Sequence, residues 1–292
     1  MPHTLGFRQV DVFATGPLTG NPLAVVHDAD DLTDDQMAAF ARWTNLSETT
    51  FLLRPTVRDD GPAADYRVRI WTPGGELPFA GHPTLGSAHA WLDAGGTPRS
   101  ADRLVQECGV GLVTVRRDGE GGGGDGDRLA FAAPPLRRSG PVGPEDLAQI
   151  ARALRVAVAD VEDAAWVDNG PGWVAARLRD AAAVLAVEPD LAAFGDLKIG
   201  VVGPYGPGES DAAVEVRALF EVNGSLVEDP VTGSLNAGLG QWLAGEHLPS
   251  AYVASQGTAL GRRGRVHVTR DADGGVWVAG AAVTTIAGTV TL

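Results

Sequence analysis

The chain has 292 residues, 44% of them hydrophobic, with 37 acidic against 23 basic side chains and a formal net charge of −14. That length suffices for two domains with real cores, and the acidic balance repels polyanions, which argues against a nucleic-acid partner. A single cysteine, Cys108, excludes an intrachain disulfide and any mechanism that needs two thiols in one chain.

In chain order, Val10 to Phe13 and Leu23 to Val26 read as strands flanking the turn-rich loop Thr15-Gly16-Pro17-Leu18-Thr19-Gly20-Asn21-Pro22. Thr33 opens a helix, with Gln36 completing a capping box and Met37, Phe40, Ala41 and Thr44 on one face. Phe51 to Leu53 is a short apolar run. From Tyr66 to Thr72 apolar and polar residues alternate with strand periodicity. A second helix is expected from about Thr84, with Leu85, Ala88 and Leu92 inward and Gly95-Gly96 as its stop. Leu104 to Arg116 and Arg128 to Phe131 read as strand material joined by the glycine run Gly119 to Gly126, a flexible surface loop without the Lys-Ser/Thr ending of a phosphate cradle.

The pattern then restarts after Ala133-Pro134-Pro135. A helix over Pro144 to Leu154 precedes β-rich segments at Trp173 to Leu178, Ile199 to Val202 and Val214 to Phe220. Another helix follows Glu228-Asp229-Pro230-Val231-Thr232-Gly233-Ser234, with Leu235, Leu239, Trp242 and Leu243 inward, and strands alternate with glycine turns from Tyr252 onward. Gly81 and Gly233 lie 152 positions apart, close to half the chain. The expected division is residues 1–136 plus a C-terminal strand at about 283–292, and residues 137–282. Each half is read as a mixed, curved sheet around a central helix, with the active site in the cleft between them.

Two stretches, Leu77-Pro78-Phe79-Ala80-Gly81-His82-Pro83-Thr84 and the one around Gly233, place polar groups and a glycine at a helix start. A helix start offers unpaired N–H donors and the positive end of the macrodipole, which suits an anionic small molecule. His82 exchanges protons near neutrality, and its place between Gly81 and Pro83 at a helix entry favours a role in a site over a structural loop histidine. Glu48, beside an apolar strand, suits a general acid/base at the rim of a poorly hydrated pocket; taken alone it also reads as a surface or turn residue, as does Ser47. Asp229 before proline reads either as an inward carboxylate or as an Asx turn. Thr232-Gly233-Ser234 is expected to cap its helix and to leave donors for a ligand.

Other residues rank lower. Gln256-Gly257 and Gly261-Arg262 read as turn chemistry or as a ligand-facing glycine and arginine, and Asp11 and Asn21 as brackets of the first loop. Trp71, Trp91, Trp166 and Trp242 read as packing, and Glu76 as the surface partner of an arginine. The six histidines show no ligand spacing, so no metal site is expected. Met1 to Val10 lacks the basic segment and apolar block of a signal peptide, and no apolar run approaches the ~20 residues of a bilayer span, so a cytoplasmic location without a membrane partner is expected.

Asp11-Val12-Phe13, Gly20-Asn21-Pro22, Asn45-Leu46-Ser47-Glu48-Thr49, Phe79-Ala80-Gly81-His82-Pro83-Thr84 and Glu228-Asp229-Pro230-Val231-Thr232-Gly233-Ser234, with the later Gln256-Gly257 and Gly261-Arg262, closely resemble the phenazine-biosynthesis PhzF family. The resemblance runs nearly end to end and implies a diaminopimelate-epimerase-like α/β fold. Epimerase-type members place a cysteine just before each helix-opening glycine, and the matching positions here are Ala80 and Thr232, so two-thiol racemisation is unavailable. Leu235, where many relatives have alanine, and a glycine run longer than usual are the departures.

The resemblance further implies a cofactor-independent isomerase that shifts a proton on a small cyclic unsaturated amino acid or carboxylate, of the dihydro-3-hydroxyanthranilate kind. Glu48 is implied as acid/base, with His82, Asp229 and Ser234 holding and polarising the substrate and Ser47, Gly81, Thr232 and Gly233 binding it. A homodimer is implied as well. The rival expectations are a non-catalytic binding or interaction protein on the same fold, and an epimerase or racemase that works without cysteine.

Overall fold

The structure is a computed structural model that describes residues 3–56, 64–118 and 128–292. The glycine run Gly119 to Gly126 lies outside the described residues. The described residues up to Ala132, together with Ala279–Leu292, form one compact unit, and Ala133–Val278 form the other.

In the first unit, β1 (Thr4–Val12) pairs antiparallel with β2 (Asn21–Val26) and with the C-terminal strand Ala282–Thr291. The Asp11 carboxylate accepts from the backbone N–H groups of Thr19 at 2.7 Å and Gly20 at 3.1 Å, so this acid holds the β1–β2 loop. Helix α1 (Asp34–Thr44) opens on the expected capping box, Thr33 with Gln36, and stops at Asn45 in the left-handed region, φ 53°. Its Met37, Phe40 and Ala41 pack on Phe51, Leu53 and Trp71. Strand β3 (Thr49–Leu53) pairs parallel with β2 and antiparallel with β4 (Tyr66–Thr72), and β5 (Gly75–Leu77) returns along β4.

Helix α2 (Gly81–Asp93) starts three residues before the expected Thr84. Pro83 falls in its first turn, where the missing N–H costs nothing, so proline does not delay the helix. β6 (Arg103–Cys108) and β7 (Gly111–Asp118) form a hairpin that the sequence reading merged into one segment, and β8 (Arg128–Ala132) pairs with β7. The reversal at Gly109-Val110 lies inside otherwise strand-like residues, and periodicity alone does not expose it. Nine of the 13 residues of α2 are buried, with β1, β2, β3, β6, β7, β8 and the C-terminal strand packed around it.

The second unit begins with β9 (Arg138–Pro141) and α3 (Pro144–Leu154), whose Ile150, Ala151 and Leu154 enter the core. β10 (Val161–Asp168), absent from the sequence reading, pairs with β9 and β11 (Trp173–Leu178). Two short helices, α4 (Ala181–Leu185) and α5 (Leu191–Phe194), lead to β12 (Lys198–Pro204), which runs parallel to β11 and antiparallel to β13 (Val214–Val222). β14 (Ser225–Asp229) folds back on β13 and delivers Asp229 to the start of α6 (Gly233–Leu243). β15 (Ala251–Gln256) lies parallel to β13 and pairs with β16 (Gly264–Arg270).

The two central helices repeat one pattern. Gly81 and Gly233, Thr84 and Asn236, and Gly86 and Gly238 each lie 152 positions apart. A Cβ on Gly86 would sit 2.5 Å from Leu23 Cδ2, and one on Gly238 would sit 2.3 Å from the Val167 carbonyl oxygen. Each helix therefore packs close to its sheet at a glycine, against side chains at Gly86 and against backbone at Gly238.

Candidate active site

Of the expected site residues, Ser47, Glu48, Gly81 and His82 belong to the first unit. Glu48 follows the α1 stop and immediately precedes β3, in a bend braced by a Thr44–Thr49 hydroxyl contact of 3.1 Å. Ser47 before it is exposed. His82 is the second residue of α2, and its Nε2 lies 3.5 Å from Glu48 Oε2, with side-chain exposures of 5% and 16%. Burial pushes the His82 imidazole down to about 3. At neutral pH the contact therefore joins a carboxyl group to an uncharged ring with one N–H donor and one acceptor, and it is not an ion pair.

Buried polar side chains set this spacing. Ser87 of α2 donates to Thr50 of β3 at 2.9 Å, tying the helix to the strand that follows Glu48. Gln106 Nε2 donates to Thr84 Oγ1 at 3.1 Å and Gln106 Oε1 accepts from Tyr66 Oη at 3.0 Å, which holds the first turn of α2 from beneath. Thr84 enters the sequence analysis only as a helix start, and Ser87, Thr50 and Gln106 are not singled out there. Their signal is a polar residue in an otherwise apolar run, which one sequence leaves ambiguous. The first intrahelical bond runs from Thr84 N to Ala80 O, and Ala80 supplies no side-chain cap. The N–H groups of Gly81 and His82 thus lie outside the helical ladder, at the positive end of the macrodipole.

Asp229, Thr232, Gly233 and Ser234 belong to the second unit. Thr232 occupies the N-cap position of α6, but its hydroxyl makes no cap bond, contrary to expectation. It donates instead to Asp229 Oδ2 at 2.6 Å. Ser234 points elsewhere: its hydroxyl accepts from Trp173 Nε1 at 3.0 Å and its carbonyl from Asn169 Nδ2 at 2.8 Å. Trp173, missed in the sequence reading, stands edge-on to Phe220 and so has a fixed ring from which to donate. One residue before Asp229, Glu228 forms a nearly buried ion pair with Arg217 at 2.8 Å, and Arg217 also donates to the carbonyl of Val187, anchoring the end of β14.

Gln256, ranked low in the sequence, is fully buried beneath this loop. Gly257 beyond it has φ 92°, and a Cβ there would sit 2.7 Å from the Pro230 carbonyl oxygen, so both conformation and space require glycine. Glu76 pairs with Arg69 through two contacts of 2.7 Å, as expected of a surface acid. Cys108 is half-buried at the end of β6, and burial pushes its thiol up, away from the reactive thiolate. The N-cap positions of α2 and α6 are held by Ala80 and Thr232. Among the described residues no three His, Cys, Asp or Glu side chains gather as metal ligands, and no helix is long and apolar enough to cross a membrane.

A glycine-led helix buried in a mixed sheet, twice in one chain, defines an epimerase-like α/β fold, and the relatives of this chain make it an enzyme of the isomerase class. The chain belongs to the phenazine biosynthesis-like PhzC-PhzF family, whose model matches residues 10–288. It is 35% identical over 271 residues to the trans-2,3-dihydro-3-hydroxyanthranilate isomerase of Pseudomonas aeruginosa, covering 91% of this chain and 90% of that protein. It is 34% identical over 300 residues to antisense-enhancing sequence 1 of Schizosaccharomyces pombe, covering 97% of each. A PhzF-family crystal structure from Bacillus anthracis shares the fold at TM-score 0.81 and 22% identity, over 99% of this chain and 100% of that one.

Proposed function

We propose that the protein is a cofactor-independent isomerase that moves a proton on a small cyclic unsaturated amino acid or carboxylate of the dihydro-3-hydroxyanthranilate kind. The observation that carries this reading is the 3.5 Å approach of Glu48 to a histidine that burial keeps neutral. In this reading the Glu48 carboxylate removes a proton from a ring carbon, and the electron pair moves along the conjugated system. The resulting carboxylic acid returns the proton to another ring carbon, so one group serves as base and then as acid and no net charge changes hands.

His82, Asp229 and Ser234 hold and polarise the substrate. A neutral His82 donates or accepts one hydrogen bond without placing a cation beside the acid that must carry the proton. The helix-start N–H groups of Gly81 and Gly233 suit the substrate's carboxylate and any negative charge that develops on it, because such donors are aligned before reaction begins. Ser47 completes the binding set, while Thr232, expected there from the sequence, has its N–H, carbonyl and hydroxyl engaged by Gln256, Asn236 and Asp229 and serves Asp229 instead. Support for the substrate class comes from the Pseudomonas aeruginosa isomerase, 35% identical over most of both chains.

The test is incubation of candidate substrates in deuterated water, with NMR detection of solvent label in recovered substrate and product. Incorporation catalysed by the protein and abolished in Glu48→Gln is expected. Label that enters equally fast with Glu48→Gln overturns the assignment of proton transfer to Glu48.

A further inference from the structure

We propose that Gln256 is a positioning residue for Asp229, acting through the hydroxyl of Thr232; this inference rests on the functional reading above. The Gln256 side-chain amide makes four hydrogen bonds, all to the segment between Asp229 and Asn236. Its Oε1 accepts from Thr232 N at 3.0 Å and Asn236 Nδ2 at 2.8 Å. Its Nε2 donates to the Asp229 carbonyl at 3.1 Å and to Thr232 Oγ1 at 2.9 Å.

A primary amide has two N–H donors and one oxygen with two lone pairs, so every position is used. Rotating the amide by half a turn would set its NH2 against two N–H donors and its oxygen against a carbonyl, so the orientation is unique. The direction of the next bond follows. Thr232 Oγ1 already receives a proton from Gln256, and its own hydroxyl proton goes to Asp229 Oδ2 at 2.6 Å. The chain Gln256 to Thr232 to Asp229 therefore presents the Asp229 carboxylate as an acceptor with a fixed orientation.

This accounts for an N-cap threonine that does not cap its helix. Asn236 completes the clamp, since its Nδ2 also donates to the Thr232 carbonyl at 2.9 Å. Gln256, Asn236 and Thr232 are all buried, so water does not compete for these bonds. The first unit uses the same device in simpler form. Gln106, 150 positions before Gln256, donates to Thr84, which lies 152 positions before Asn236. In both units a strand glutamine sits under the first turn of the central helix, but only in the second does it reach an acid.

The experiment combines kinetics with the 13C signal of the Asp229 carboxyl in aspartate-labelled protein, using Gln256→Leu, Thr232→Val and Thr232→Ser. Gln256→Leu and Thr232→Val are expected to shift the Asp229 signal and to lower kcat about 100-fold, with KM changed less than about threefold. Thr232→Ser keeps the hydroxyl and is expected to stay near the unaltered protein in both readouts.

An Asp229 signal unmoved in Thr232→Val, or a kcat for Gln256→Leu within about twofold of the unaltered enzyme, overturns the proposal. Should Gln256→Leu fail to fold, Thr232→Val, which leaves the glutamine in place, decides the matter. If the unaltered protein turns over no candidate substrate, the isomerase reading fails by itself, and the carboxyl signal still decides whether Gln256 and Thr232 orient Asp229.

Discussion

His82 Nε2 and Glu48 Oε2 lie 3.5 Å apart at the start of α2, and the ring is held neutral by its burial. The acid therefore has a polar neighbour that carries no charge at neutral pH. A protonated histidine there would favour the ionised carboxylate and oppose its service as an acid in the second half of a proton shift.

Replacing Glu48 with glutamine keeps the shape of the side chain and removes the proton carrier. The expected outcome is a fall in kcat of about 100- to 10,000-fold, the range usual for loss of a general acid/base. Glutamine fills the same volume and keeps a polar end beside His82, so the melting temperature is expected to change little. Circular dichroism melts alongside the deuterium-incorporation assay check both halves of this expectation.

Stability is expected to fall as the solution is acidified. His82 has an imidazole lowered from 6.5 to about 3 by burial, and burial also lowers His27 and His89. Below about pH 6.5 the unfolded chain binds protons that the folded chain does not. The His82 contribution is thus full above that pH and is lost as pH falls toward 3, and His27 and His89 add to the loss in the same direction. For His82 the loss approaches about 1.4 kcal/mol per pH unit within that window. Urea unfolding at a series of pH values measures the slope, and His82→Gln is expected to make it shallower. An unchanged slope in that variant would show that His82 is not among the groups responsible.

Trp173→Phe retains an aromatic ring beside Phe220 but removes the Nε1 donor to Ser234. Loss of one buried hydrogen bond is expected to cost about 1 kcal/mol, with some addition for the smaller ring. The freed Ser234 hydroxyl is expected to weaken substrate binding, raising KM more than it lowers kcat. Steady-state kinetics separates the two effects, and a variant altered only in melting temperature would limit Trp173 to packing.

Gly238→Ala sets helix propensity against packing. In an open helix the change gains about 1 kcal/mol. Here the new Cβ would meet the Val167 carbonyl at 2.3 Å, a backbone atom that cannot swing aside. Overpacking at about 1–3 kcal/mol or more is expected to win, so the variant melts lower. Gly86→Ala meets the ends of the Leu23 and Val12 side chains, which rotate, and is expected to be milder.

Much of the architecture is legible in the chain because it is locally encoded. The capping box at Thr33 and Gln36, the amphipathic run of α3 and the alternation of Tyr66 to Thr72 depend on neighbours a few positions away. β10 and β14 were missed because charged residues interrupt their apolar pattern. Glu162, Asp163 and Glu228 lie in them, and only their cross-strand partners fix them as strands. α2 starts at Gly81, not at about Thr84, because Gly81-His82-Pro83 forms its first turn, where proline's missing N–H costs nothing.

The sequence by itself determined the types of chemistry on offer: a glutamate, a histidine and an aspartate beside glycine-led helix starts, and one cysteine too few for thiol racemisation. Only the tertiary structure decided their states. Burial makes His82 a neutral partner, a fully used amide on Gln256 turns the Thr232 hydroxyl toward Asp229 and away from the helix, and Trp173 takes the Ser234 hydroxyl. The physical reason is that protonation and hydrogen-bond direction depend on which groups exclude water and which donors arrive from distant strands. Residues 61 and 24 positions away, Trp173 and Gln256, supply those donors. No pattern local to the helix start contains them.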